Sequence, residues 1–328
     1  MKPLMLRDLA TTNAANPLQI YLDAARDYAE EAEAAATRRA YASDCRRFAA
    51  WCAARDVAAL PADPETVASY LGAVAGQLRN ATIKRQLVAI ARMHRAASVP
   101  NPVEHAMVRR VWRGMQRRLG TAPQKKTALR SAQLKVLLDA IDVDAPGRAG
   151  LAAARDRALL LVGFAGAFRR AELAGIDVAD LTWEAGGLVI RLPRSKTDAT
   201  AAGVDVGIVA TQSAYCPKRA LEAWLRRAAI EVGPVFRAID RHGNLATARL
   251  SPTVVATIVK ERCAAIGLAP ETFAGHSLRA GFLTSAAEGG AEERDIMAHS
   301  RHRDVTTARG YIQRGALWEQ HAGHRLGL

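Results

Sequence analysis

Apolar residues recur at three- and four-residue spacing along most of this chain, and that period confines the fold to packed helices. Tyr41, Cys45, Phe48 and Cys52 make one such face. In the run DPETVASYLGAVA, Asp63 stands at an N-cap position, Pro64 takes the first helical position, and apolar residues follow. Further helices are expected over 80–97 and 102–118, then 131–142 and 154–167. The period falls to two in only two places. LVIRLP (188–193) and VDVGIV (204–209) alternate as strands, with RSKTDATAAG between them as a hairpin loop. Helical spacing then returns over 216–230, 251–266, 277–289, 292–300 and 304–312.

These segments predict a mainly α protein with a small antiparallel β-sheet. Residues 1–16 read as a flexible leader, and 17–118 as a bundle of four or five helices. The stretch LGTAPQKKTA (119–128) breaks the period with Gly120 and Pro123 and reads as a basic linker. A second, mostly helical domain fills 129–328, ending in a tail helix with Ile312, Leu317 and Trp318 on its apolar side.

The net charge of +14 is concentrated. Residues 79–130 hold 13 Lys and Arg against one acidic residue, Glu104. A solvated face mixes both signs. A segment carrying Lys84, Arg85, Arg92, Arg109, Arg110, Arg113, Arg117, Arg118, Lys125 and Lys126 is suited to lie along phosphates, because each one neutralised releases condensed counterions. A nucleic acid is the polyanionic partner this implies. No run of about eighteen apolar residues argues for a membrane span. The start MKPLMLRDLATTNAANP lacks the apolar region of a signal peptide. Cys45, Cys52, Cys216 and Cys263 form no C-x-x-C pair, so reduced, packed thiols in a cytoplasmic, nucleoid-associated protein are expected.

Four stretches of the second domain combine residues with chemical potential, in a characteristic order. FAGAFRRAEL holds Arg169 and Glu172, and RSKTD in the hairpin holds Lys196. HSLR holds His276 and Arg279, and HRDVTTARGY holds His302 and, nine residues later, Tyr311. The order resembles that of the tyrosine recombinase (phage integrase) family: an arginine in a G-x-x-R-x-x-E-L-like turn, a hairpin lysine, H-x-x-R, a second histidine, then a nucleophilic tyrosine. The resemblance covers 127–328, and more weakly the helical first domain, which looks like the family's core-binding domain. It implies site-specific recombination of double-stranded DNA through a covalent 3′-phosphotyrosyl link. That link conserves the bond energy, so neither metal nor ATP nor any other cofactor is expected.

The chemistry has its own logic. Attack at phosphorus piles charge onto the equatorial oxygens, and the guanidiniums of Arg169 and Arg279 suit a bidentate clamp on them. Tyr311 is the candidate nucleophile, weak while its hydroxyl is protonated. His276 is suited to accept that proton and Lys196 to protonate the departing 5′-oxygen. His302 would bond a non-bridging oxygen, and Glu172 would orient the site. Arg170 competes with Arg169 and His299 with His302, and the family's register selects Arg169 and His302. Tyr21, Tyr28, Tyr41, Tyr70 and Tyr215 read as core aromatics. His299, His302, His321 and His324 form two i, i+3 pairs, but without a known zinc spacing no metal site is assigned.

One departure stands out. Relatives commonly carry Leu-Gly-His before the tyrosine, and here the residues are Ser300, Arg301 and His302. The resemblance also implies a tetramer on paired sites, with the tail docking on a neighbouring protomer or folding back on its own. A type IB topoisomerase-like relaxing enzyme and an inactive DNA-binding relative are the competing readings.

Overall fold

The computed structural model describes Tyr21, Ala25, residues 35–120, 126–193 and 203–302, and Val305 and 309–312. The chain divides into two compact units, Met1–Gln124 and Lys125–Leu328.

Four helices form the described part of the first unit: α1 (Ala35–Ala53), α2 (Pro64–Val74), α3 (Asn80–Ala96) and α4 (Ala106–Leu119), with a 3₁₀ turn at Pro102–Glu104. α1 packs on α3, and α2 on α4. Phe48, Cys52, Val67, Tyr70, Leu71, Ile83, Leu87, Ile90, Val108 and Met115 make the shared core. Pro64 opens α2 as its missing N–H permits, whereas Asp63 holds the N-cap backbone without a side-chain cap bond. Tyr70 is a core aromatic, edge-on to Phe48 and Trp51. Tyr21 is instead 72% exposed. Tyr215 is half-buried against the core of the second unit, and its hydroxyl donates to the Asp139 carboxylate at 2.8 Å. Tyr28 lies outside the described residues.

The second unit holds α5 (Ser131–Asp139), α6 (Gly147–Ala165), α7 (Arg170–Gly175), β1 (Leu181–Glu184), β2 (Gly187–Leu192), β3 (Val204–Val209), α8 (Pro217–Arg227), β4 (Arg237–Ile239), β5 (Leu245–Arg249), α9 (Pro252–Ala265), α10 (His276–Glu288) and α11 (Glu293–Ser300). β1, β2 and β3 form an antiparallel meander in which Ile190 faces Val206 and Leu192 faces Val204. β4 and β5 form a separate hairpin. α6 runs through the middle, packed against α8 on one side and α10 on another. Trp224 is fully buried beside it and donates its indole N–H to the Val235 carbonyl at 2.9 Å. Gly281 lets α10 pass the backbone of Leu129, where a Cβ would meet the carbonyl oxygen at 1.9 Å.

Residues 126–129, the end of the stretch read as a linker, are fastened to the second unit. Thr127 N–H donates to Thr272 and Leu129 N–H to Ser277. No helix among the described residues is long and apolar enough to cross a membrane. The four cysteines are unbonded, Cys45 half-buried and the other three buried.

Candidate active site

The end of α6, the turn into α7, the first turn of α10 and the end of α11 meet at one place. α6 ends at Ala165, and the chain reverses through Gly166 and Ala167, the latter at φ 46°. The reversal presents Arg169 at the N-cap of α7, with Glu172 in the first turn. Glu172 is buried and accepts from the Arg169 backbone N–H at 2.9 Å and from the Arg169 guanidinium at 2.5 Å. Burial pushes its carboxyl up, but these bonds and the charges of Arg169 and Arg301 outweigh burial and hold it below the usual carboxylate range. Arg170 points to solvent. Its stem covers Gly275, where a Cβ would come within 2.9 Å of the Arg170 Cβ. The two arginines differ in environment: Arg169 is tied to Glu172, and Arg170 is exposed.

His276 and Arg279 lie one turn apart at the start of α10. Arg279 is fully buried, donates through Nη1 to the Ala167 carbonyl at 2.7 Å and through Nη2 to His302 Nδ1 at 3.1 Å. Its buried Nε–H has no acceptor among the described residues. Burial, with the like charges of Arg169 and Arg301, pulls Arg279 down to about 9, still charged at neutral pH. Because a guanidinium only donates, His302 Nδ1 must be an acceptor, and Ser300 Oγ lies 2.8 Å from the same atom. The neutral ring then carries its proton on Nε2. Burial, then the charges of Arg279, Arg169, His276 and Arg301, bring His302 down to about 4. His276 reaches solvent, yet desolvation by its surroundings and the charges of Arg279 and Arg169 hold it below the ordinary imidazole value.

Tyr311 lies in helical backbone with its ring buried in a cluster of Ala280, Leu283, Ala287 and Ile296. Its ring centroid is 6.3 Å from that of His276. Burial raises its phenol above the ordinary value, and Arg279 opposes the rise. His299 is turned elsewhere, bonded through Nε2 to the Ala165 carbonyl at 2.7 Å and stacked on Phe282. So His299 and His302 do not converge on one point, and His321 and His324 lie outside the described residues. No group of three or more His, Cys, Asp or Glu among the described residues could hold a metal ion. Lys196 and Lys125 also lie outside the described residues.

Arg301 is a member of this cluster that the sequence shows only as a departure from Leu-Gly-His. It caps α11 in the left-handed conformation (φ 57°, ψ 40°) and buries its guanidinium. Nη1 donates to Gly166 and His299 carbonyls, and Nη2 to Ala167 and to Glu172 Oε2 at 3.2 Å. A cation where a glycine suits the backbone was the available signal.

The cluster brings together Arg169, His276, Arg279, His302 and Tyr311 with, among the described residues, one carboxylate, Glu172, beneath them. Two charged guanidiniums and a neutral imidazole Nε2–H present donors only. The ligand they suit is a tetrahedral oxyanion, and the Tyr311 ring lies 6.3 Å from that of His276.

The described basic residues of the first unit all reach solvent, though not all are uncommitted. Arg109, Arg110, Arg113, Arg117 and Arg118 are exposed along α4, opposite buried Val108 and Met115. Lys84, Arg85 and Arg92 are exposed on α3. Arg85 forms a fork with buried Asp44 of α1, at 2.7 and 3.1 Å, so it ties two helices together. Arg92 lies over the Tyr41 ring, 5.0 Å from its centroid. Lys126 Nζ donates to the Glu271 carbonyl.

Residues 127–316 match the phage integrase family. The chain is 38% identical over 301 residues to an integrase/recombinase xerD homolog of Selenomonas ruminantium, covering 90% of this chain and 87% of that protein. It is 26% identical over 292 residues to recombinase cre of Escherichia phage P1, covering 83% and 82%. Among solved structures it is similar to a lambda integrase dimer bound to a COC' core site (TM-score 0.58, 15% identity, 90% of this chain and 77% of that one). It is also similar to XerH recombinase bound to difH substrate before cleavage (TM-score 0.55, 17% identity, 81% and 72%).

Proposed function

The chain belongs to the phage integrase family and is a tyrosine-type site-specific recombinase acting on DNA, and from that premise we propose that Tyr311 is its nucleophile within the cup formed by Arg169, His276, Arg279 and His302. The Tyr311 oxygen attacks phosphorus, the bond from phosphorus to the 5′-oxygen breaks, and a 3′-phosphotyrosyl link results. The phenol proton passes to His276, and Lys196 protonates the leaving 5′-oxygen. The bond energy is kept in the link, so a partner strand's 5′-hydroxyl reverses the step without metal or ATP.

The observation that carries this reading is the direct bond between Arg279 and His302, residues 23 apart, beside a tyrosine ring that lies 6.3 Å from His276. The protonation states agree with the roles. His276 is held below its ordinary value and is therefore unprotonated, the form a base needs, at neutral pH. The Tyr311 phenol is raised, so it requires such a base. His302 stays neutral and offers Nε2–H to a non-bridging oxygen. Fixed donors of this kind contribute on the order of 10²–10³ in rate each.

Exposed arginines on α4 provide sequence-independent grip on the duplex, with Arg109, Arg110, Arg113, Arg117 and Arg118 the main contacts. Exchange of four strands further implies a tetramer on two paired sites, held through the residues that follow Tyr311.

A suicide substrate nicked near the cleavage site tests the chemistry. Wild-type protein is expected to form a covalent DNA adduct, and Tyr311→Phe none. Arg169→Ala and Arg279→Ala should lose cleavage while keeping DNA affinity. An adduct that persists in Tyr311→Phe, or wild-type activity in either arginine variant, overturns the assignment.

A further inference from the structure

Arg301 pays a backbone cost that glycine would avoid. A left-handed backbone strains any residue that carries a Cβ. Most helices that end this way use glycine, sometimes asparagine. Here a long cation stands instead, with its side chain only 9% exposed. Its donors are directed. Two carbonyls of the α6–α7 reversal, Gly166 and Ala167, accept from it, as does His299 in its own helix. The remaining bond goes to Glu172 Oε2, the same oxygen that accepts the Arg169 backbone N–H, while Oε1 takes the Arg169 guanidinium. Ala167 is the carbonyl on which Arg279 also rests. The guanidinium further lies over the Phe168 ring, 5.2 Å from its centroid. Every one of these contacts except His299 falls on 166–172, the segment that aims Arg169, and Arg301 precedes His302 directly.

We propose that Arg301 is a positioning residue for strand cleavage: it holds Arg169 through their shared carboxylate Glu172, and holds the Gly166–Ala167 turn that anchors Arg279. It need not touch DNA to do so. Its guanidinium replaces backbone freedom at the turn before His302 with a strut that fixes both phosphate-binding arginines and the histidine relative to one another. This rests on the assignment of Arg169 and Arg279 as phosphate ligands.

The test measures the single-turnover rate of covalent adduct formation and, separately, DNA affinity. Arg301→Gly suits the left-handed backbone and removes the strut. Its cleavage rate is expected to fall about 10²-fold, as for an ångström-scale misplacement of catalytic groups, with affinity within about threefold of wild type. Arg301→Lys keeps the charge but lacks the fork, and should recover only part of the loss. The deciding measurement is a cycle with Glu172→Gln. If Arg301 acts through Glu172, the double variant Arg301→Gly with Glu172→Gln loses no more than about threefold beyond the worse single variant, whereas independent effects multiply. An unchanged rate in Arg301→Gly overturns the proposal, and multiplying losses overturn the hold on Arg169 through Glu172. Should Arg301→Gly fail to fold, the Arg301→Lys and Glu172→Gln pair runs the same cycle. If wild-type protein gives no adduct that depends on Tyr311, the parent assignment has failed instead, and the two results are distinct.

Discussion

Glu172→Ala removes the carboxylate that, among the described residues, binds both Arg169 and Arg301, and its cost follows from the geometry. The Glu172 side chain is 4% exposed and accepts three bonds, two from Arg169 and one from Arg301. Deleting one partner of a buried pair costs about 3–5 kcal/mol, because the other charge is left uncompensated. Two features place this case at the low end. Arg301 keeps three backbone carbonyls as acceptors. The Arg169 side chain is 20% exposed and gains water. A loss of about 3 kcal/mol is expected, which corresponds to roughly a 10²-fold rise in opening. Native-state hydrogen exchange of the α6 and α10 amides reads this in the intact chain, without treating two units as one transition. Glu172→Gln keeps an acceptor and the packing, and should cost about 1–2 kcal/mol. The pH sign is fixed by the lowered carboxyl. Its stabilisation is complete above the unfolded value near ~4.3 and is lost as pH falls through the lower folded value. Exchange in wild type should therefore accelerate on acidification below about pH 4 more than in Glu172→Gln. Exchange in Glu172→Ala within threefold of wild type would refute the reasoning, since it would mean that Glu172 does not neutralise the buried arginines.

Replacing Arg109, Arg110, Arg113, Arg117 and Arg118 by Gln should flatten the log–log salt dependence of DNA binding by about 0.9 for each phosphate that is no longer neutralised, read from affinities at several ionic strengths. An unchanged slope removes α4 from the interface. Gly281→Ala drives a Cβ to 1.9 Å from the Leu129 carbonyl; a loss of about 3 kcal/mol or more is expected from overpacking, checked by thermal melting, and an unshifted transition would show that the packing of α10 on Leu129 yields.

The order of the candidate site residues was legible because each motif is local. An arginine three residues before a glutamate, and a histidine three before an arginine, carry their spacing in the chain itself. What lay beyond reach depends on contacts between distant segments. Arg85 resembles a phosphate ligand by its neighbours in sequence, but Asp44, 41 residues earlier, claims its guanidinium. Arg301 reaches back 129 residues to Glu172. The strands without a sequence signal, β1, β4 and β5, are three to five residues long and largely exposed, so no apolar alternation marks them. α6 begins at Gly147, earlier than the expected 154, because its first turns bury Gly150, Ala153 and Ala154, residues too small to stand out in a periodicity count. The two long strands are legible to within a residue because Leu188, Ile190 and Leu192 alternate inward against Val206 and Ile208.

The cup also makes a prediction about protons. Arg169, Arg279, Arg301, His276 and His302 crowd one face, and Glu172 offsets only part of their charge. That excess adds to burial in holding His302 down to about 4 and His276 below its ordinary value. A DNA phosphate entering this site adds the opposite charge at contact distance, which favours the protonated forms by roughly one to three pKa units. Binding must therefore take up protons, most strongly between the free and bound values, and little at pH 8. His276 should supply most of the uptake. Protonating His302 requires Nδ1 to release its bond from Arg279, whereas no such donor occupies His276 among the described residues. Calorimetry of Tyr311→Phe binding its duplex in buffers of different ionisation enthalpy measures the uptake without cleavage. His276→Asn should abolish the larger part. Proton release on binding, or an uptake indifferent to His276, would show that the phosphate does not enter among these cations, and the assignment of the cup would fall with it.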